Sequence, residues 1–158
     1  MKYMGSKARI ARDLWDVMSP IASRRARYIE PFAGGFNMMA VADHPVRLAF
    51  DVNEYVIAMF SALLQGWEPP AFVTKAEYDA AKQLNGPPEL VGFIGICCSY
   101  SGKWFGGYAG ITQTKGGERN YIDEARRNLM KQVPRLQGVQ VAALDYREIE
   151  IPPNSFPE

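Results

Sequence analysis

The sequence predicts a single α/β domain with a parallel sheet, and three apolar runs that end on turn or acidic residues are the observations behind it. The first closes on Tyr28-Ile29, where Pro31 has no N–H to extend a ladder and Gly34-Gly35 let the chain turn tightly into a helix over residues 37–41. The second covers residues 46–50 and ends on Asp51, and the third covers residues 139–144, with Asp145-Tyr146 at its carboxyl end. In a parallel sheet such ends share one edge, where N–H groups at a helix start face an anionic or polar ligand. A carboxylate at Asp51 is placed there to accept from both hydroxyls of a ribose. Taken alone, these features fit any nucleotide-binding α/β domain.

A chain of 158 residues with 47% hydrophobic content buries one core. The formal net charge of +1 argues against nucleic-acid binding by bulk charge, while leaving room for a local basic surface. Lys2, Lys7, Arg9, Arg12, Arg24, Arg25 and Arg27 concentrate positive charge near the N-terminus, against Asp13, Asp16 and Glu30. Cys97 and Cys98 are adjacent within an apolar run, which disfavours a disulfide framework or a metal site and predicts a reduced, cytoplasmic setting. No apolar stretch has the length of a membrane span, and the first residues lack a signal-type apolar region. His44, in Asp43-His44-Pro45, is expected in a surface turn without a catalytic role.

In chain order, a helix is predicted over residues 7–18, with Ser6 as its cap and Ile10, Leu14 and Val17 on one face. Tyr3, Gly5 and Lys7 stand at its entrance. They combine a flat ring, room for close approach and a cation, which together suit an aromatic base and a carboxylate. Asn53 is the expected N-cap of a helix over residues 54–64 that Gly66 stops. Thr74 and Glu77 form a capping box for a helix over residues 75–84, which Asn85-Gly86-Pro87-Pro88 breaks before a buried helix over residues 89–98.

Residues 99–120 interleave Gly102, Gly106, Gly107, Gly110, Gly116 and Gly117 with Tyr100, Trp104, Phe105 and Tyr108, and add Lys103, Lys115 and Arg119. Such a segment can follow a phosphate chain, enter a base stack or steady an extruded base, or can serve as a loop whose aromatics cover the core. A helix over residues 123–133 follows and ends at Pro134.

Residues 2–7 (KYMGSK), 28–35 (YIEPFAGG), Asp51-Val52-Asn53, residues 101–108 (SGKWFGGY) and Asp145-Tyr146, in this order, resemble the Dam-type (alpha group) DNA adenine methyltransferases. The resemblance covers nearly the whole chain. It implies a Rossmann-like fold, S-adenosylmethionine as methyl donor, and transfer to the exocyclic amine of adenine in double-stranded DNA. It divides the chain into a cofactor-binding core at residues 1–66 and 134–158 and an inserted helical, Gly/aromatic-rich DNA-recognition region at residues 67–133.

Carried over by position, the resemblance assigns Tyr3 and Lys7 to the N-terminal cofactor motif, with Lys7 near the methionine carboxylate. Glu30, Pro31, Phe32 and Gly34 fall in the methionine-binding loop, with Glu30 favouring the cationic amine. Asp51 takes the ribose, Asp145 accepts from the cofactor's adenine amine, and Tyr146 supports that base. Ser101, Lys103, Trp104, Tyr108, Lys115 and Arg119 fall where DNA is contacted, and no metal is implied.

Two departures stand out. Phe36 occupies a place where the family has glycine or another small residue. The family's catalytic motif, Asp-Pro-Pro-Tyr, is absent, since Ile151-Pro152-Pro153-Asn154 lacks the carboxylate and the aromatic at matching places. The expectation is therefore a fold incomplete at its C-terminus, with no catalytic residue before Glu158. The strand at Tyr28-Ile29 would be left as an open edge, prone to self-association or to pairing with a complementing C-terminal portion. A cofactor- or DNA-binding remnant without catalysis, and a dinucleotide-binding oxidoreductase, are the alternative functions.

Overall fold

A computed structural model describes residues 1–157. Its strands are β1 (Arg27–Glu30), β2 (Arg47–Asp51), β3 (Ile111–Thr114), β4 (Gly117–Asn120), β5 (Val139–Ala143) and β6 (Ser155–Pro157). Its helices are α1 (Ala11–Ala22), α2 (Glu54–Leu64), α3 (Lys75–Lys82), α4 (Pro88–Cys97) and α5 (Tyr121–Gln132). Four strands form a wholly parallel sheet in the order β5-β2-β1-β6, and β3 and β4 form a separate antiparallel hairpin. Parallel strands put the carboxyl ends of β1, β2 and β5 on one edge, which is what positions the site.

Local signals set several boundaries as expected. Asn53 accepts from the Tyr55 and Val56 amides at 3.1 and 3.2 Å and starts α2. The Thr74–Glu77 capping box forms in both directions and starts α3. In the core, α1 and α2 pack on the sheet and α4 packs on α2, with Tyr28, Phe36, Phe60 and Phe93 fully buried.

Other expectations are corrected. Ser6 accepts from the Ala8 amide at 3.1 Å and so holds a lead-in turn, while α1 begins at Ala11 without a side-chain cap. The helix buries Ala11, Trp15 and Ala22, leaving Ile10 and Val17 at 51% and 77% exposure. Trp15 decides the orientation, because its ring meets Tyr28 edge-on at 5.2 Å and a large aromatic buries more area than an aliphatic side chain.

The helix expected over residues 37–41 is instead a series of turns, with Ala40 and Ala42 donating to Phe36 and Met38 at 3.0 and 2.9 Å. So few residues before Asp43-His44-Pro45 cannot repay the cost of nucleating a helix. His44 is buried rather than at the surface; its Nε2 lies 3.2 Å from the Arg25 carbonyl and its Nδ1 2.8 Å from that of Val46, so it ties the exit of α1 to the entrance of β2. The segment 99–120 is not structureless: it holds a 3-10 turn, Tyr100–Gly102, and the β3–β4 hairpin.

Strand β1 is not an open edge. Ser155, Phe156 and Pro157 pair with Arg27, Tyr28 and Ile29, and Phe156 stacks on Tyr28 at 6.3 Å. Among the described residues no helix is long and apolar enough to cross a membrane.

Candidate functional site

The residues after β1 form a loop held from three sides. Ala33 donates to the Phe50 carbonyl at 2.8 Å, which ties the loop to the end of β2. The Gly34 amide donates to Asp51 Oδ2 at 2.8 Å, and the Asn53 amide to Oδ1 of the same carboxylate at 2.9 Å. From α5, the buried Gln132 side chain donates to the Gly35 and Phe36 carbonyls at 2.8 and 2.9 Å.

Tyr3 packs against this loop. A Cβ at Gly34 would stand 2.8 Å from the Tyr3 ring, and one at Gly35 would stand 2.9 Å from the Tyr3 Cβ, so the packing needs both glycines. Burial, followed by the Asp51 charge, raises the Tyr3 hydroxyl above the ordinary tyrosine pKa. Tyr3, Lys7, Glu30, Phe32 and Gly34 line one small cleft of about 70 Å³. Glu30 is buried there, at 4% exposure, while Pro31 is half-buried and Phe32 exposed.

Phe36 answers the first departure from the family pattern. Its φ of 56° is a left-handed conformation, where glycine is favoured. The ring stacks on Phe60 with centroids 3.8 Å apart, so it fills the core and not the cleft.

The end of β5 adjoins the same edge, because the Leu144 amide donates to the Asp51 carbonyl at 3.1 Å. Tyr146 brings its ring to 5.2 Å from Phe32, and both rings are exposed. Asp145 accepts from Arg147 Nε and Nη2 at 2.8 and 2.6 Å; this bonding holds its carboxyl down at about 2. The nine residues expected at a cofactor thus gather along one edge of the sheet, with Asp145 already engaged by its own neighbour.

The second predicted set is distributed differently. The Gly102 carbonyl accepts from the Met4 amide at 3.1 Å, so the turn carrying Ser101 rests on the same arm that carries Tyr3. Lys103 and Lys115 are exposed. Trp104 is half-buried: its ring lies 4.7 Å from Phe105 and 6.0 Å from Tyr55, over Gly95, where a Cβ would meet the indole at 2.4 Å. Tyr108 is half-buried and donates its hydroxyl to the Val73 carbonyl at 2.6 Å. Arg119 pairs with Glu124 and lies 4.6 Å over the Tyr121 ring.

Sequence reasoning missed Gln132 and Glu124. Gln132 carries no local signal, since it acts 97 residues away from its partner Gly35. Glu124 could have been found from its place in the first turn after Asn120, a good N-cap. The thiols of Cys97 and Cys98 are free and buried, and burial pushes Cys97 up to about 12, which leaves it unreactive. Among the described residues no cluster of His, Cys, Asp and Glu could hold a metal.

In comparison with known proteins, a family model described as D12 class N6 adenine-specific DNA methyltransferase matches residues 3–146. No curated protein matches the chain.

Proposed function

The chain belongs to the D12 class N6 adenine-specific DNA methyltransferase family, and from that premise we propose that the carboxyl edge of its sheet binds S-adenosylmethionine while residues 99–120 face double-stranded DNA. The strand order β5-β2-β1-β6 supports a Rossmann-like reading, in which a ligand lies outside the carboxyl ends of the strands.

The donor set fits that ligand. Lys7 suits its carboxylate, and the buried Glu30 carboxylate suits its ammonium. Asp51 uses one lone pair on each oxygen for backbone amides, and the remaining ones can accept ribose hydroxyls. Phe32 and Tyr146 offer exposed rings for adenine, and Asp145 offers a carboxylate for its amine. The cleft of about 70 Å³ holds a group the size of an amino-acid end, so the nucleoside end falls to Asp51, Phe32, Asp145 and Tyr146. When bound, S-adenosylmethionine supplies an electrophilic methyl group. The residues named here bind and orient; residues 1–158 contain no Asp-Pro-Pro-Tyr, and none is assigned to the target amine.

One observation carries the proposal. The N-terminal arm touches both surfaces, with Tyr3 on the glycine loop and the Met4 amide on the Gly102 carbonyl. Calorimetry with S-adenosylmethionine and NAD in parallel tests the cofactor, and binding to a random-sequence duplex tests the DNA face. Binding of S-adenosylmethionine and duplex without NAD is the expected result, and binding of NAD alone would overturn the proposal.

A further inference from the structure

Strand β4 runs directly into α5, and one residue makes the joint. The Asn120 side chain accepts from the Ile122 and Asp123 amides at 3.1 and 3.0 Å and is the N-cap of α5. Arg119 therefore stands just before the cap and Glu124 at the fourth helical position. In many helices these two places hold an apolar pair that fixes the angle at which the chain enters the helix.

Here the pair is ionic. Arg119 donates from Nε and Nη2 to the two Glu124 oxygens, both at 2.8 Å, while its guanidinium plane lies 4.6 Å over the Tyr121 ring. An exposed ion pair of this kind adds little to stability. Its effect is geometric: bidentate bonding and ring contact hold a long side chain in one orientation. The guanidinium has five N–H donors in a rigid fork, and the Nε and Nη2 edge is the one in use. Nη1 is not engaged by Glu124, so that is the edge an incoming acceptor would meet. Glu124 also lies at the N-terminus of α5, where a negative charge is favoured, and its own pKa is lowered chiefly by the Arg119 hydrogen bond.

We propose that Glu124 is a positioning residue for DNA recognition, holding Arg119 and the β3–β4 hairpin at a set angle to α5 and neutralising a charge that would otherwise favour any duplex. This rests on the proposal that residues 99–120 face DNA. Base-edge recognition gains from an arginine aimed in advance, whereas phosphate attraction needs only free positive charge. A carboxylate that aims the arginine and cancels its charge trades sequence-independent affinity for discrimination.

The test compares the wild-type chain with Glu124→Gln, Arg119→Ala and the double variant. Each is titrated with a random-sequence duplex between about 50 and 200 mM salt, and each is then used to select duplexes from a randomised pool. Glu124→Gln is expected to bind the random duplex about 3- to 10-fold more tightly, with a salt slope steeper by roughly one unit, because one more cation is free to displace counterions. Its selected pool is expected to lose preference at one or more positions. Adding Arg119→Ala should abolish the gain, which separates a role through Arg119 from a general charge effect. An unchanged slope and an unchanged pool in Glu124→Gln overturn the inference. So does an Arg119→Ala variant that matches wild type throughout, with duplex binding itself intact. Absence of duplex binding by the wild-type chain overturns the DNA-face proposal as well.

Discussion

The Gly34 amide donates to Asp51 Oδ2 at 2.8 Å, joining the loop after β1 to the end of β2 across 17 residues. Asp51 is 8% exposed, so a carboxylate expected to serve a ligand also serves the fold.

Replacement of Asp51 by alanine therefore has two consequences. It removes a buried acceptor from two backbone amides, and unfolding by urea should show a loss of about 2 to 4 kcal/mol. Calorimetry under folding conditions should then show weakened binding of S-adenosylmethionine. Unchanged stability would mean that the bonds to Gly34 and Asn53 contribute nothing.

At Phe36 the usual order of glycine and alanine is expected to reverse. Phe36→Ala removes a fully buried ring and should cost about 3 to 5 kcal/mol. Phe36→Gly leaves a similar cavity but accepts a φ of 56° without strain, so it should cost about 0.5 to 1 kcal/mol less than Phe36→Ala. Parallel denaturant titrations decide this; a glycine variant less stable than the alanine variant would refute it.

For Asp145 the pH dependence has a definite sign. Its carboxyl is held at about 2, below the ordinary 3.8, first by the Arg147 side-chain hydrogen bond. A depressed carboxyl stabilises the fold above its unfolded pKa, and that contribution fades as pH falls from about 4 toward 2. Carbon-detected NMR titration should find the low midpoint in the wild-type chain and a rise toward 3.8 in Arg147→Ala. A midpoint that ignores Arg147 would show that the pair does not form in solution.

Gly95 faces the Trp104 indole so closely that an added Cβ would lie 2.4 Å from the ring. Gly95→Ala should displace the indole and cost about 1 to 3 kcal/mol, the range for overpacking. Tryptophan emission should shift to longer wavelength as the ring gains water. An alanine variant with native stability and emission would place Trp104 elsewhere.

Much of the fold was legible where the physics is local. Asn53 before α2 and Thr74 with Glu77 before α3 were readable because a cap acts over two or three residues. The three longer parallel strands were readable as short apolar runs ending on Pro, Asp or Asp-Tyr. In the site, the nine residues expected at a cofactor were named from motifs and from the family resemblance and lie along the carboxyl edge of the sheet, whereas Gln132, which holds the loop there, was not named. Arg119 was named from its charge, but Glu124, which holds it, was not.

By itself the sequence determined the α/β class, the glycine loop, the acid at the end of β2 and the helices that carry their own caps, because each depends on near neighbours in the chain. Tertiary structure alone decided that Trp15 and not Ile10 or Val17 faces the sheet, that His44 is buried, that Phe36 turns into the core and that Phe156 covers β1. It also decided that Gln132 clamps a loop 97 residues away. Those outcomes depend on which surfaces compete for the same interior space, and no window along the chain contains both competitors.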